Sequence, residues 1–546
     1  MKRKAVAAVL TAVMVASMFT GCGSDNGSSS AKSASAASAA SAANDTVDED
    51  GKVNGIMYQE GLPLVDEGDY TFSIFCDDSS ESGEFIMLDE FKKQTNVDVD
   101  LKIYPYETAT ERLNLDLNSG DYADVIGGWT LSDNAILTYG VNQGVFIPLE
   151  DYFEKYCPNI SAILDLPGVR EKMTAPDGHI YTIPYVCGDT TVGYSPYINT
   201  KWLENVGMSM PTTTDEFEAV LKAFKEQDAN GNGDASDEIP FSTDPNNKHI
   251  EAMAGYFGLP MNKLGIAIQD EKVVYGGVSD TYREFLSWFH KLYADGLVDV
   301  ELYTQDSSTW EGKGNQDLYG VSIAYGSNEF TGIPAAEERG DFDSMPVLNT
   351  DKGGIWLRDT EGFSVYRTQA VITNKAEHPE IICRWFDNAF ALENGIGCNR
   401  GPVGVIVNKE DDGYHAIDTT TLSEEDQEKY SWGNLWPQSL PKYLPADFEF
   451  VEEHPMYDEK KATEEAYEAN LTKEIIPSYW IDLDKIDTFS DTNTAIKDFF
   501  EQQQAQFVCG ELDIDNDADW QAYVDGMYSL GLEDWVATQG IEEIAK

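Results

Sequence analysis

The sequence predicts an α/β protein with more than one domain. Strand-like and helix-like runs alternate along the chain beyond its N-terminal tract. The body spans roughly 480 residues, more than a single hydrophobic core serves. A hydrophobic fraction of 42% is that of a globular protein, and after the N-terminal leader no apolar run reaches spanning length.

The elements follow in order. Residues 71–76 (TFSIFC) form the first apolar alternation of a strand. Residues 84–95 place Phe85, Leu88 and Phe91 at helical spacing, and residues 97–103 alternate Val97, Val99, Leu101 and Ile103 as a second strand. A helix is expected over 108–117, then a short strand within 121–129 that delivers the Gly127-Gly128 turn and Trp129. In open α/β sheets ligands sit beyond the carboxyl ends of the strands, so the loops 77–83 and 127–133 are the expected binding edge.

The N-terminus carries an export address. Met1-Lys2-Arg3-Lys4 is basic, residues 5–19 are apolar, and Thr20-Gly21 precede Cys22. That ending resembles the lipobox of bacterial lipoproteins, which implies removal of residues 1–21 and a lipid-anchored Cys22 at the membrane surface. Phe19 departs from the leucine usual in that box, and the alternative is an ordinary signal cut nearby. Residues 23–44 are almost all Gly, Ser and Ala, too poor in apolar surface to offset their ordering entropy, so 22–65 reads as a flexible tether.

Charge excludes one class of partner. With 97 acidic against 37 basic residues the net charge is -60, the wrong sign for neutralising nucleic-acid phosphates. Beyond Cys22 the cysteines, Cys76, Cys157, Cys187, Cys383, Cys398 and Cys509, are widely spaced, with neither a C-x-x-C nor a zinc pattern. The six histidines are scattered, and no serine-hydrolase elbow, H-E-x-x-H, phosphate-binding loop or dinucleotide fingerprint is present.

A series of segments then gives the chain a family resemblance. Asp177-Gly178-His179-Ile180-Tyr181-Thr182-Ile183-Pro184 is followed by Tyr197-Ile198-Asn199-Thr200-Lys201-Trp202-Leu203, then Gly207, Pro211, Thr212 and Asp215-Glu216-Phe217. Further on come the strand 370–374 and the helix 379–390. In order and spacing these resemble the extracellular solute-binding proteins of bacterial ABC importers. The resemblance implies a two-lobed periplasmic-binding-protein-like fold with a hinge and an interlobe cleft, an ABC permease as partner, and a monomer. It implies one lobe from 66–185 plus 365–410 and a second from 186–364 plus 411–546.

The sharpest local motif is residues 228–238 (DANGNGDASDE), with oxygen-bearing side chains at alternate positions and a glycine at the sixth place. A tight turn of this kind converges hard oxygens on one ion, and calcium is the expected structural occupant. Asp228, Asn230 and Asn232 would give side-chain oxygens, Asp234 a backbone or side-chain oxygen, and Asp237 or Glu238 would close the shell. An EF-hand closes with Glu at the twelfth place, where this chain has Ile239; the alternative is a solvated Asx-rich turn.

Aromatic residues make up 12% of the chain, with 28 Tyr and 11 Trp, enough for stacking platforms as well as a core. Sugars present flat C–H faces ringed by hydroxyls and need such platforms beside polar groups, so an oligosaccharide is the expected ligand. Trp202, Trp288, Trp385, Trp520 and Trp535 lie in helical patterns and are assigned to packing. Trp129, Trp310 and Trp356, beside loop-forming residues, are the candidate platforms, with Tyr325, Arg358 and Tyr194 as further ligand contacts. A peptide or sensory ligand is the alternative, and it would call for a strand edge and charged anchors. An anchored glycoside hydrolase could hide its two carboxylates among the acidic residues.

Overall fold

A computed structural model describes residues 45–78, 84–245, 249–332, 341–446, 448–451 and 455–545. Cys22, the leader and the tether as far as residue 44 lie outside them. The described residues belong to one compact unit, Ala39–Lys546, built on two main sheets.

The first lobe carries a six-stranded sheet in the order Tyr443–Leu444, Thr182–Gly188, Phe363–Ile372, Val125–Gly127, Tyr70–Asp77, Val97–Tyr104. Tyr70–Asp77 runs parallel to both Val97–Tyr104 and Val125–Gly127, as a β-α-β-α-β unit requires. The helices Ile86–Thr95 and Tyr106–Ser119 make the crossovers. Strand alternation sorts the residues: Phe72, Ile74 and Cys76 face one core with Phe91 and Trp385, while Phe75 faces the other with Leu113 and Ile126.

The second lobe carries a four-stranded sheet, Phe342–Ser344, Ser195–Asn199, Tyr319–Ala324, Ile239–Thr243. Its helix Thr214–Glu226 starts where the Thr213 hydroxyl accepts the Glu216 N–H at 3.2 Å, and the Glu216 carboxylate reaches back to the Thr212 N–H at 2.9 Å. Phe217, Val220, Leu221 and Phe224 then fall on one buried face at helical spacing.

Several segments pass between the lobes, among them the helix Ile486–Cys509, which runs from the first-lobe core at Ile486 to the second-lobe core at Phe500 and Phe507; three others build the hinge. The first leaves Thr182–Gly188 and enters Ser195–Asn199. The second leads from Trp356–Arg358 back into Phe363–Ile372, and the Asp189 N–H to Gly362 carbonyl and Asp359 N–H to Thr191 carbonyl bonds, 3.1 and 3.0 Å, tie these two together. The third begins as Leu471–Ile475, which pairs with Trp356–Arg358. It ends on the first lobe, where the Trp480 indole donates to the Lys172 carbonyl at 3.1 Å and Arg367 lies 4.1 Å over its ring.

Packing moves the expected lobe boundaries in two places. Val53, Met57, Leu64 and Val65 are buried in the first-lobe core, so the described part of the expected tether, from residue 45, is folded. Trp436 and Leu440 share that core, Tyr443–Leu444 pairs with Thr182–Gly188, and Ile481 and Ile486 pack under the same sheet. Much of 411–486 therefore completes the first lobe rather than the second, because its apolar residues cover strands that would otherwise face water.

Candidate functional site

The glycine turn after Val125–Gly127 shapes the first-lobe edge. Gly128 sits at φ +135°, and a Cβ there would meet the Asp77 carboxylate at 2.3 Å. That closeness lets Asp77 accept the N–H groups of Trp129 and Thr130, at 2.9 and 2.6 Å, and so fixes the loop. Trp129 remains 44% exposed, edge-on to Tyr366 with centroids 5.3 Å apart. Tyr366 stacks on Tyr185 at 5.5 Å, the Lys442 ammonium lies 5.2 Å over Tyr185, and the same ammonium lies 5.9 Å over Trp432, itself 51% exposed. The result is an aromatic wall along the first lobe.

The second lobe faces the hinge with Tyr325 and Tyr194, whose rings meet edge-on at 6.0 Å, and His249 stacks on Tyr194 at 4.0 Å. The Lys460 ammonium lies 3.6 Å over the Tyr325 ring and donates to the Gly193 carbonyl at 3.1 Å. Asp189 joins the two walls. Its carboxylate accepts the Tyr325 hydroxyl at 3.1 Å, the Ser364 hydroxyl at 2.5 Å and the Tyr366 hydroxyl at 3.1 Å.

Burial sets the protonation of this region. It pushes Lys460 down to about 8 against the opposing carboxylates of Glu329, Glu459, Asp189 and Asp359, and Lys442 down to about 8, where Cys398, Cys187 and Asp78 oppose it and Arg400 adds to it. Burial also raises Glu329 to about 7 and Asp359 to about 6, while backbone N–H donors at Tyr325 and Gly193 oppose it.

The expected ligand residues divide. Trp129, Tyr325 and Tyr194 are brought to the hinge. Trp310 and Trp356 are not: Trp310 lies on the helix Ser307–Asn315, 2% exposed, with its indole donating to Ser322, and Trp356 lies on a strand, 1% exposed, between Tyr256 and Tyr467. Both indoles are core in this structure, correcting their placement in loops. Arg358 donates to the Thr472 carbonyl at 3.1 Å and stands 3.7 Å from Glu468, a clip between paired strands. Sequence reasoning missed Asp189, Tyr366, Tyr185, Trp432, Lys442 and Lys460. The burial of Trp202, Trp385, Trp520 and Trp535 in the core matches expectation.

The loop 228–238 joins the helix Thr214–Glu226 to the strand Ile239–Thr243. Its side chains fold inward: Asp228 Oδ2 accepts the Gly233 N–H at 3.0 Å, Asn230 Oδ1 the Asn232 N–H at 3.0 Å, and Asn232 Oδ1 the Asp234 N–H at 2.8 Å. Asp237 takes the amide groups of Asn230 and Asn232, and Glu238 Oε1 accepts the Ala229 N–H at 2.9 Å. Asp234 Oδ1 accepts the Ser236 N–H at 3.2 Å and its hydroxyl at 2.6 Å. Asp228 Oδ1 and Glu238 Oε2 are buried acceptors without a hydrogen-bond donor, the chemistry a hard cation satisfies.

Elsewhere, an open depression of about 810 Å3 lies over the outer face of the helix Asp280–Ala294. Its lining, including Arg283, Glu284, Lys291 and Asp515, is mostly charged and lies away from the hinge.

Two α/β lobes joined by several crossings, with aromatic walls meeting at the hinge, define a bilobal binding protein. The chain belongs to the bacterial extracellular solute-binding protein family, whose profile matches residues 78–395. It is 32% identical over 411 residues, 73% of this chain and 70% of the other, to the fructooligosaccharide ABC transporter substrate-binding protein FusA of Streptococcus pneumoniae. The FusA structure in complex with kestose superposes with a TM-score of 0.74 at 26% identity, covering 86% of this chain and 98% of FusA, and an EF-hand mutant of FusA with fructo-nystose matches equally. An HMO-binding solute-binding protein from Bifidobacterium longum infantis shares the fold, with a TM-score of 0.69 at 20% identity over 87% of this chain and 98% of the other.

Proposed function

We propose that the chain captures an oligosaccharide between its two lobes and presents it to an ABC importer. The observation that carries this reading is the aromatic wall Trp129–Tyr366–Tyr185 facing Tyr325 and Tyr194 across Asp189. Trp129, exposed at the end of this wall, offers a face for sugar C–H surfaces, and the adjoining carboxylates accept hydroxyl donors. Closure about the hinge strengthens contacts made by both walls at once, so ligand shifts the population toward the closed form. The similarity to FusA supports a short fructan-like oligomer as the first ligand to try. No catalytic step is assigned.

Export and anchoring belong to the same reading: a lipid on Cys22 holds the receptor beside its permease at high local concentration. Calcium in the loop 228–238 is its structural partner, with Asp228 and Glu238 each giving the ion one buried oxygen and Asn230, Asn232, Asp234 and Asp237 around them. The ion would brace the junction between helix and strand.

Calorimetric titration of the soluble body against oligosaccharides and peptides tests the function. Saccharide binding is expected, and a peptide response with no saccharide response would overturn it. For the anchor, Cys22→Ser is expected to release the protein into the medium.

A further inference from the structure

The hinge gathers negative charge around one ammonium. Asp189, Glu329, Asp359 and Glu459 all act on Lys460, and Glu464, one turn along the helix Pro455–Tyr467, accepts the Thr191 N–H at 2.6 Å and its hydroxyl at 3.1 Å. Each of these carboxylates is held in place by the backbone: Glu329 by the Tyr325 N–H at 2.9 Å, Asp359 by Gly193 at 2.7 Å, Glu459 by Ser327 at 2.9 Å. They are fixed features of the loops and helices around the hinge.

The basic side chains of the region already have partners. Arg400, beside Tyr185 and Lys442, donates to the Asn399 carbonyl at 3.2 Å. Lys460 is engaged by Gly193 and the surrounding acids, and Lys442 donates to Gln438 at 2.9 Å between two rings. Arg367 grips Asp133 in a fork beneath Trp480, and Arg358 is tied to Thr472 and Glu468. A ligand carboxylate entering here would lose its water, find these cations committed, and stand among fixed charges of its own sign. Sugar hydroxyls meet the opposite situation, because they donate to carboxylates.

We infer that the site selects uncharged oligosaccharides and rejects those bearing uronic or other carboxylate sugars, with Asp189, Asp359, Glu459 and Glu464 as the excluding charges. The inference rests on the oligosaccharide reading above and narrows it to a ligand class.

The test uses the soluble body and calorimetry at low salt. A panel of neutral oligosaccharides identifies the tightest binder, which is then prepared with one primary hydroxyl oxidised to a carboxylate and, separately, as the methyl ester of that acid. The acid is expected to bind at least about 30-fold more weakly than the parent, the gap narrowing in high salt. The bulkier but uncharged ester is expected to recover most of the affinity. An acid that binds as tightly as the parent, or an ester as weak as the acid, overturns the charge filter. Failure of every saccharide, neutral or acidic, would instead remove the oligosaccharide reading on which it rests.

Discussion

The Tyr325 hydroxyl of the second lobe and the Tyr366 hydroxyl of the first both donate to the Asp189 carboxylate, each at 3.1 Å. One side chain on the first crossing thereby senses the position of both walls. With the Ser364 hydroxyl, three charge-assisted bonds meet there, so the relative placement of the lobes depends on this carboxylate more than on either tyrosine alone.

Asp189→Asn keeps the shape but removes the charge that these donors share. Loss of about 1.5 to 3 kcal/mol in charge-assisted bonding predicts at least about a tenfold fall in ligand affinity. Tyr325→Phe, which removes one donor, should cost less. Calorimetry on both variants, beside unchanged far-UV circular dichroism, checks the order.

The tryptophans separate by burial. Trp129→Ala should leave thermal stability nearly unchanged and weaken saccharide binding by about 1 to 3 kcal/mol, the worth of a lost stacking platform. Trp356→Ala and Trp310→Ala should instead destabilise the fold by about 3 to 5 kcal/mol through cavity formation. Denaturant melts and titrations on the three variants distinguish a platform from a core indole.

Chelation should lower the melting temperature. An ion held at 1,000 times its dissociation constant stabilises by about 4 kcal/mol, and added calcium should restore that loss. Glu238→Gln should blunt the response to chelator, because Glu238 Oε2 is one of the two buried, undonated oxygens of the loop. An unchanged melting temperature in chelator would count against the ion.

Acid should act through His249. Burial, with Lys263 adding, pushes this imidazole down to about 4 from its ordinary 6.5. The unfolded chain therefore binds a proton that the folded chain refuses between those values. Its contribution to stability is full above pH 6.5 and is lost as pH falls toward 4, at up to about 1.4 kcal/mol per pH unit. His249→Phe should flatten that slope in pH-dependent melts while keeping the stack on Tyr194.

Much of the fold was legible because its signals are local. The alternation of Val97, Val99 and Leu101, the spacing of Phe85, Leu88 and Phe91, and the glycine turn before Trp129 are periodic or conformational features that sequence displays directly. The site was legible only in part. Trp310 and Trp356 sit beside turn-forming residues in sequence, yet each fills a core through partners far along the chain, such as Phe330 for one and Tyr467 for the other. Asp189, Tyr366, Lys442 and Lys460 carry no motif, and their roles arise where segments distant in sequence converge beside the hinge, a long-range relationship that no window of sequence contains. The position of 411–486 was lost for the same reason: a two-residue strand, Tyr443–Leu444, decides which sheet the segment joins.

The most direct test of the account is calorimetric titration of the soluble body with neutral oligosaccharides, kestose and longer fructans among them, run in parallel on Trp129→Ala. Stoichiometric binding of at least one saccharide at about 10 μM or tighter, weakened at least about tenfold in the variant, is the expected result. A panel in which peptides bind and no saccharide does, or in which Trp129→Ala binds sugar as tightly as the parent, would contradict capture of sugar on the aromatic wall between the lobes.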